Sequence, residues 1–329
     1  MNEEREALRE AVRGLLEGYP ARAGFDAGLW GRLCKEIGVA GLAVPQRFGG
    51  AGAGLLEACV VFEELGRGLT PVPMLGAVLA GQALVRSGDE EACARLLPGI
   101  CAGDLIAAVG FVPPAGDSLS GEVRHVPDVA EADVVILCAG DTLWEVDAAA
   151  VSREPEESID LTRRLGTVRL DGAHARRLGT DSTPTLGDIG CVALSAEQVG
   201  AAARALELTL DYVKTRHQFG RPIGSFQVLQ HRLAEAHVRL EAARSASWTA
   251  AEALVAGAPE ASSLASVAKV CCSETLRAVA AEMVQMHGGI AITWEHDAHL
   301  YLRRAYACAQ LFGSPAQHVE RLAAAAGLA

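Results

Sequence analysis

The residues best suited to chemistry lie in Arg216-His-Gln-Phe-Gly220, where a cation, an amide and an aromatic ring precede a turn. Leu206, Leu210 and Val213 lead up to it at helical spacing, and Gly220 and Pro222 end the pattern. Glycine accepts a left-handed backbone and proline cannot donate to a helix ladder, so Arg216, His217, Gln218 and Phe219 fall at a helix end. An arginine fork placed there can grip a phosphate, and an aromatic face can stack on a purine. The same residues also suit a solvated helix end with one core phenylalanine, because arginine beside a turn is common at helix C-termini.

Two further stretches accompany it: Ile223-Gly-Ser-Phe-Gln-Val-Leu-Gln-His231 opens the next helix, and Gln285-Met-His-Gly-Gly-Ile290 closes a later one. In that order the three resemble the acyl-CoA dehydrogenase family, flavoproteins with an Arg-x-x-Phe-Gly turn in a carboxy-terminal helical domain. The resemblance implies FAD, an acyl-CoA substrate and an electron-transfer flavoprotein as acceptor. It implies that Arg216 meets the pyrophosphate and that Gln218 and Phe219 meet the adenine side. Gln285, Gly288 and Gly289 would meet the diphosphate of a flavin shared across a subunit interface, where bare glycine backbone can approach phosphate closely. Ala291 stands where a third glycine is usual, and Ser314 where a flavin-contacting threonine is common.

The implied reaction removes a proton beside a thioester carbonyl and passes a hydride from the next carbon to flavin. It needs a carboxylate base and donors for the developing oxyanion. The family's two base positions fall on Phe312 and Gly190, neither an acid. Asp188 and Glu197 are the acids nearest the second position, although an acid at a helix start also serves the helix dipole. The Phe312 backbone N–H remains a possible donor to a thioester oxygen. The family's Thr-Glu-Pro strand at the flavin ring corresponds to Phe111-Val-Pro-Pro-Ala-Gly116, and its second ring-facing strand to Val123-Arg-His-Val-Pro127. The stretch Trp294-Glu-His-Asp297 is similar to that of a branch of mixed-subunit dehydrogenases, in which a related chain supplies the base, and a heterotetramer is the expected assembly. Two alternatives stand: a self-sufficient homo-oligomer using Asp188 or Glu197, and a scaffold subunit without flavin.

The elements that must position these residues fall into three blocks: a helical domain over 1–103, a reduced middle β domain over 104–180 and a carboxy-terminal helical bundle over 181–329. The expected fold class is mainly α with a small β domain, two helical domains around it, the last a four-helix bundle. Leu8, Val12 and Leu15, then Leu29, Leu33 and Ile37, then Leu55 to Leu65 make the first stripes. Short apolar runs at 105–109, 134–138, 143–146 and 167–170, separated by Gly, Pro and Asp, read as strands. Long helices follow from near Val192 to Thr215, from Gln227 to about Val255 and from Ser262 to Met286, with a last one from about His296 capped by Thr293.

The 329 residues carry a formal charge of −12, which argues against binding nucleic acid through its phosphates. Nine scattered cysteines with no Cys-x-x-Cys spacing read as reduced core thiols. The acidic start Met1-Asn-Glu-Glu-Arg-Glu-Ala lacks the pattern of a secretory leader, and the apolar run from Val72 to Val85 is too short to span a bilayer. A soluble cytoplasmic protein is expected. His296, Asp297 and His299 have metal-ligand chemistry without well-placed histidine pairs, so no metal is expected.

Overall fold

The computed structural model describes residues 3–112, 119–172, 174–181 and 185–328. Five helices come first: α1 (Glu3–Leu16), α2 (Ala27–Arg32), α3 (Leu55–Gly68), α4 (Met74–Ser87) and α5 (Glu90–Ala102). Asp26 and Asp89 start α2 and α5 by accepting the backbone N–H of Leu29 and Ala92, which removes an orphan donor at each end. The Leu29, Leu33, Ile37 stripe is not one α-helix, because the chain widens to a π-turn over Leu33–Ile37 before Gly38 turns left-handed. The apolar run at 72–85 is α4, buried along most of its length. Among the described residues no helix is long and apolar enough to cross a membrane.

Seven strands follow: β1 (Ala107–Val112), β2 (Ser120–Pro127), β3 (Val134–Ala139), β4 (Thr142–Asp147), β5 (Ser152–Glu156), β6 (Leu165–Asp171) and β7 (Ala175–Thr180). They form two sheets, ordered β1-β3-β4-β7 and β2-β6-β5. Among the described strands only β1 and β3 run parallel, with Val109 opposite Ile136. The four expected strands are β1, β3, β4 and β6, whereas β5 and β7 escape a hydrophobicity reading. Both are edge strands, and Ser-Arg-Glu-Pro-Glu and Ala-Arg-Arg-Leu-Gly-Thr carry the charges that keep such edges from pairing further. In β2 the register shifts between Val123 and Val126, with His125 at φ 59°, so the strand bulges toward the cleft described below. Of the expected ring strand, Phe111 and Val112 end β1, and residues 113–116 lie outside the described residues.

The second helical block comprises α6 (Leu186–Thr215), a hairpin of β8 (His217–Gln218) and β9 (Arg221–Pro222), then α7 (Gln227–Ala256), α8 (Ala261–His287), α9 (Ala298–Cys308) and α10 (Pro315–Ala325). Helix α6 begins at Leu186 rather than near Val192, because Thr185 and Asp188 cap each other's backbone. Thr293 does not cap α9. Its hydroxyl donates to the Ile290 carbonyl, and Asp297 is the residue before the helix. The block is tied to the first one by an approach of bare backbones. A Cβ on Gly66 would lie 2.0 Å from the Glu197 carbonyl oxygen, and one on Gly200 would lie 1.8 Å from that of Glu63. Glycine is required at both points for α3 and α6 to touch.

Candidate active site

A cleft of about 410 Å³ opens between the β-sheets and the end of the bundle, lined by Phe111, Arg124, Val126, Gly187, Leu311 and Phe312 among others. Phe312 of this lining touches Gly190, so the two family base positions meet although they are distant in sequence. A Cβ on Gly190 would stand 2.9 Å from Cε2 and Cζ of Phe312, so the phenyl ring fills the space a side chain at 190 would need. On its other side the ring meets Phe111 edge-on, with centroids 5.6 Å apart and planes at 83°. The contact spans the cleft from β1 to the turn between α9 and α10. Aromatic pairs favour this edge-to-face arrangement, which adds about 0.5–1.5 kcal/mol to the area they bury.

The two acids weighed as substitute bases are committed elsewhere. Asp188 is fully buried, its Oδ2 accepting from the Thr185 N–H at 2.9 Å and the Ser262 hydroxyl at 2.7 Å, while Oδ1 pairs with Arg321 at 2.8 Å. Glu197 lies among Arg163 at 2.6 Å and Arg304 at 2.5 Å. Burial alone would raise its carboxyl, but the two guanidiniums outweigh burial and bring it down to about 2. A group held there is a poor proton acceptor near neutral pH. Neither acid lines the cleft.

Behind Phe312 stand His318 and Cys191. The His318 Nε2 lies 2.9 Å from the Phe312 carbonyl oxygen, which can only accept, so Nε2 carries the proton. Burial holds His318 below the ordinary histidine value. The Cys191 thiol lies 3.6 Å from the same nitrogen, but burial pushes it up to about 12, so the pair is not a thiolate–imidazolium nucleophile. Ser314 caps α10, its hydroxyl and backbone N–H both bonded to Gln317. Sequence spacing gave no sign of His318, because its role depends on a carbonyl.

The arginine turn and the glycine loop form a separate, outward face. Arg216 ends α6, with its N–H on the Tyr212 carbonyl at 2.8 Å, and the hairpin turns at Phe219 and Gly220, φ 54° and 76°. Such paired left-handed residues are what a two-residue hairpin loop demands. Phe219 is 91% exposed, with its ring edge-on to Phe226 at 6.1 Å. Gln285, Gly288 and Gly289 are exposed at the end of α8, and a Cβ on either glycine would meet open space. Tyr212 joins the two motifs. Its hydroxyl donates to the His287 carbonyl at 3.3 Å and its ring stacks on that of His287 at 4.2 Å, so the turn and the glycine pair share one anchor. Ala291 is fully buried beneath the loop.

The triad of His296, Asp297 and His299 is drawn into other contacts. His296 packs against His287 with ring centroids 4.4 Å apart, Asp297 pairs with Arg22 at 2.7 Å, and His299 meets Trp294 edge-on.

The fold combines a helical block, a small β unit and a long-helix bundle, with the arginine turn and the glycine loop on one outward face. Residues 2–104 match the acyl-CoA dehydrogenase N-terminal domain and residues 188–327 its C-terminal domain. The chain belongs to the acyl-CoA dehydrogenase family. It is 41% identical to acyl-CoA dehydrogenase IpdE2 of Mycolicibacterium smegmatis over 98% of this chain and 99% of that protein. It is 40% identical to IpdE2 of Mycobacterium tuberculosis, over 97% and 96%. Among solved structures it is similar to the ChsE4–ChsE5 complex of Mycobacterium tuberculosis, with a TM-score of 0.91 and 28% identity over 100% and 98% of the chains. It is also similar to a Tcur3481–Tcur3483 steroid ACAD variant, with a TM-score of 0.90 and 31% identity over 99% and 98%. Butyryl-CoA dehydrogenase of Megasphaera elsdenii shares the fold, with a TM-score of 0.88.

Proposed function

We propose that the chain is a subunit of a heteromeric, FAD-dependent acyl-CoA dehydrogenase, in which a related chain supplies the catalytic base and the ring-binding cleft. The observation that carries this reading is the Phe312 ring seated on Gly190 and packed on Phe111: a phenyl group occupies one base position and fills the space a side chain at the other would need. The outward face suits the phosphate and adenine half of the cofactor: Arg216 for the pyrophosphate, Gln218 and Phe219 for the adenine side, Gln285, Gly288 and Gly289 for the diphosphate. When bound, FAD accepts the hydride, and this chain's residues anchor its phosphates from across the subunit boundary. Ser314 caps α10 with its hydroxyl and stands where the family's flavin-contacting threonine would be.

Likeness to ChsE4–ChsE5 and to the Tcur3481–Tcur3483 steroid ACAD supports a mixed assembly and thioesters that carry a steroid-derived acyl group. Electrons would leave through an electron-transfer flavoprotein. The reading is tested by purifying the chain alone and with its related partner. The pair is expected to be yellow and to bleach with acyl-CoA, faster with a steroid side-chain thioester than with a straight-chain one. A lone chain that is yellow and bleaches overturns it.

A further inference from the structure

The turn that carries Phe312 is anchored from the side opposite the cleft. Phe312 has φ 59°, a backbone conformation that residues with a Cβ adopt only where surrounding contacts enforce it. Two buried groups supply those contacts. Lys269 of α8 donates to the carbonyls of Cys308 and Ala309, both at 3.0 Å, and so fixes the end of α9. From α10, His318 reaches back with Nε2 on the Phe312 carbonyl at 2.9 Å and Nδ1 on the Ser266 hydroxyl at 3.1 Å. With Nε2 protonated, the neutral ring can only accept at Nδ1, so the single Ser266 hydroxyl proton is shared between Nδ1 at 3.1 Å and the Ser262 carbonyl at 3.2 Å.

We propose that His318 is a positioning residue. By holding the Phe312 carbonyl it keeps the turn left-handed and the ring on Gly190. What that placement means for catalysis rests on the functional reading above, but the holding does not, and its readout involves no flavin. Failure of one is therefore distinguishable from failure of the other.

Cys191 reports on the turn, since its Sγ is buried 3.6 Å from His318 Nε2 and 3.9 Å from the Phe312 carbonyl. Cys59 and Cys272 are buried elsewhere in the core and serve as controls. The full chain is alkylated with N-ethylmaleimide, and each cysteine is followed by peptide mass spectrometry. In His318→Ala, Cys191 is expected to react about tenfold faster, the scale of local opening that loss of one buried hydrogen bond permits, with the controls unchanged. His318→Gln keeps an N–H for the carbonyl and an oxygen for Ser266, and is expected to restore protection. The proposal is overturned if Cys191 in His318→Ala reacts at the wild-type rate, or if His318→Gln reacts as fast as His318→Ala. Should His318→Ala unfold, seen as all three cysteines reacting together, Ser266→Ala decides. Selective exposure of Cys191 supports the proposal, and wild-type protection refutes it.

Discussion

The carboxylate of Glu197 sits between two guanidiniums, and removing its charge takes the ion-pair partner from Arg163, while Arg304 keeps Asp160 at 2.6 Å. Glu197→Gln is therefore expected to cost about 3–5 kcal/mol in urea unfolding, as breaking a buried ion pair does. Its pH signature has a definite sign. The folded value of about 2 lies below the ordinary 4.5, so the stabilisation is complete above the ordinary value and fades as pH falls through that window. The stability difference between wild type and Glu197→Gln should accordingly shrink between those two pH values and be flat above them. At Gly190 the expectation concerns volume. Gly190→Ala drives a methyl into the Phe312 ring and should lower stability by about 1–3 kcal/mol, the usual cost of overpacking. Combining it with Phe312→Ala should recover part of that loss, a coupling read from a double-mutant cycle of melting curves. Arg216, Gly288 and Gly289 were legible in the sequence because their motifs are local. The contact of Phe312 with Gly190, and the commitment of Asp188 and Glu197 to arginines, were not. Spacing along a chain does not say which distant side chains share a pocket.

Helix α8 is the element on which the site leans. Ser262, Ser266, Lys269 and Ser273 recur along it at spacings of three and four, and they bond in turn to Asp188, His318, the α9 carbonyls and Gln198. Burial pushes the Lys269 ammonium below the ordinary lysine value, yet three acceptors surround it. Lys269→Met keeps the packing and strands two carbonyls, so a loss of about 1–3 kcal/mol per unpaired group is expected in thermal unfolding. The helical period of α8 was readable from its apolar stripe of Leu264, Val267 and Cys271. Its polar seam was not, because small hydroxyl residues on a buried face look like ordinary helix filler until their partners are known. Edge strands β5 and β7 were missed for the converse reason, since their charged residues hide a backbone pairing.

For the molecule as a whole, the fold class could be read from the blocks of period and from the three motifs, and the matching family domains and solved folds agree with it. What joins the motifs could not, because Tyr212 looked like one more helix residue. Arg216→Ala, made in the assembled pair, is expected to reduce FAD retention by roughly tenfold to a hundredfold, the worth of a charge-assisted contact to phosphate. The lone chain's melting temperature should not move, since Arg216 is exposed. Equilibrium dialysis of the pair and calorimetry of the single chain separate these outcomes.

The interlock of ring and glycine also bears on descent. An acid introduced at 190 collides with the phenyl group, and one introduced at 312 leaves a hollow beside 190 and loses the brace from Phe111. On the function proposed above, a return to self-sufficiency would require coordinated changes at both positions, each unfavourable alone. Under that reading, dependence on a companion subunit would behave as a ratchet.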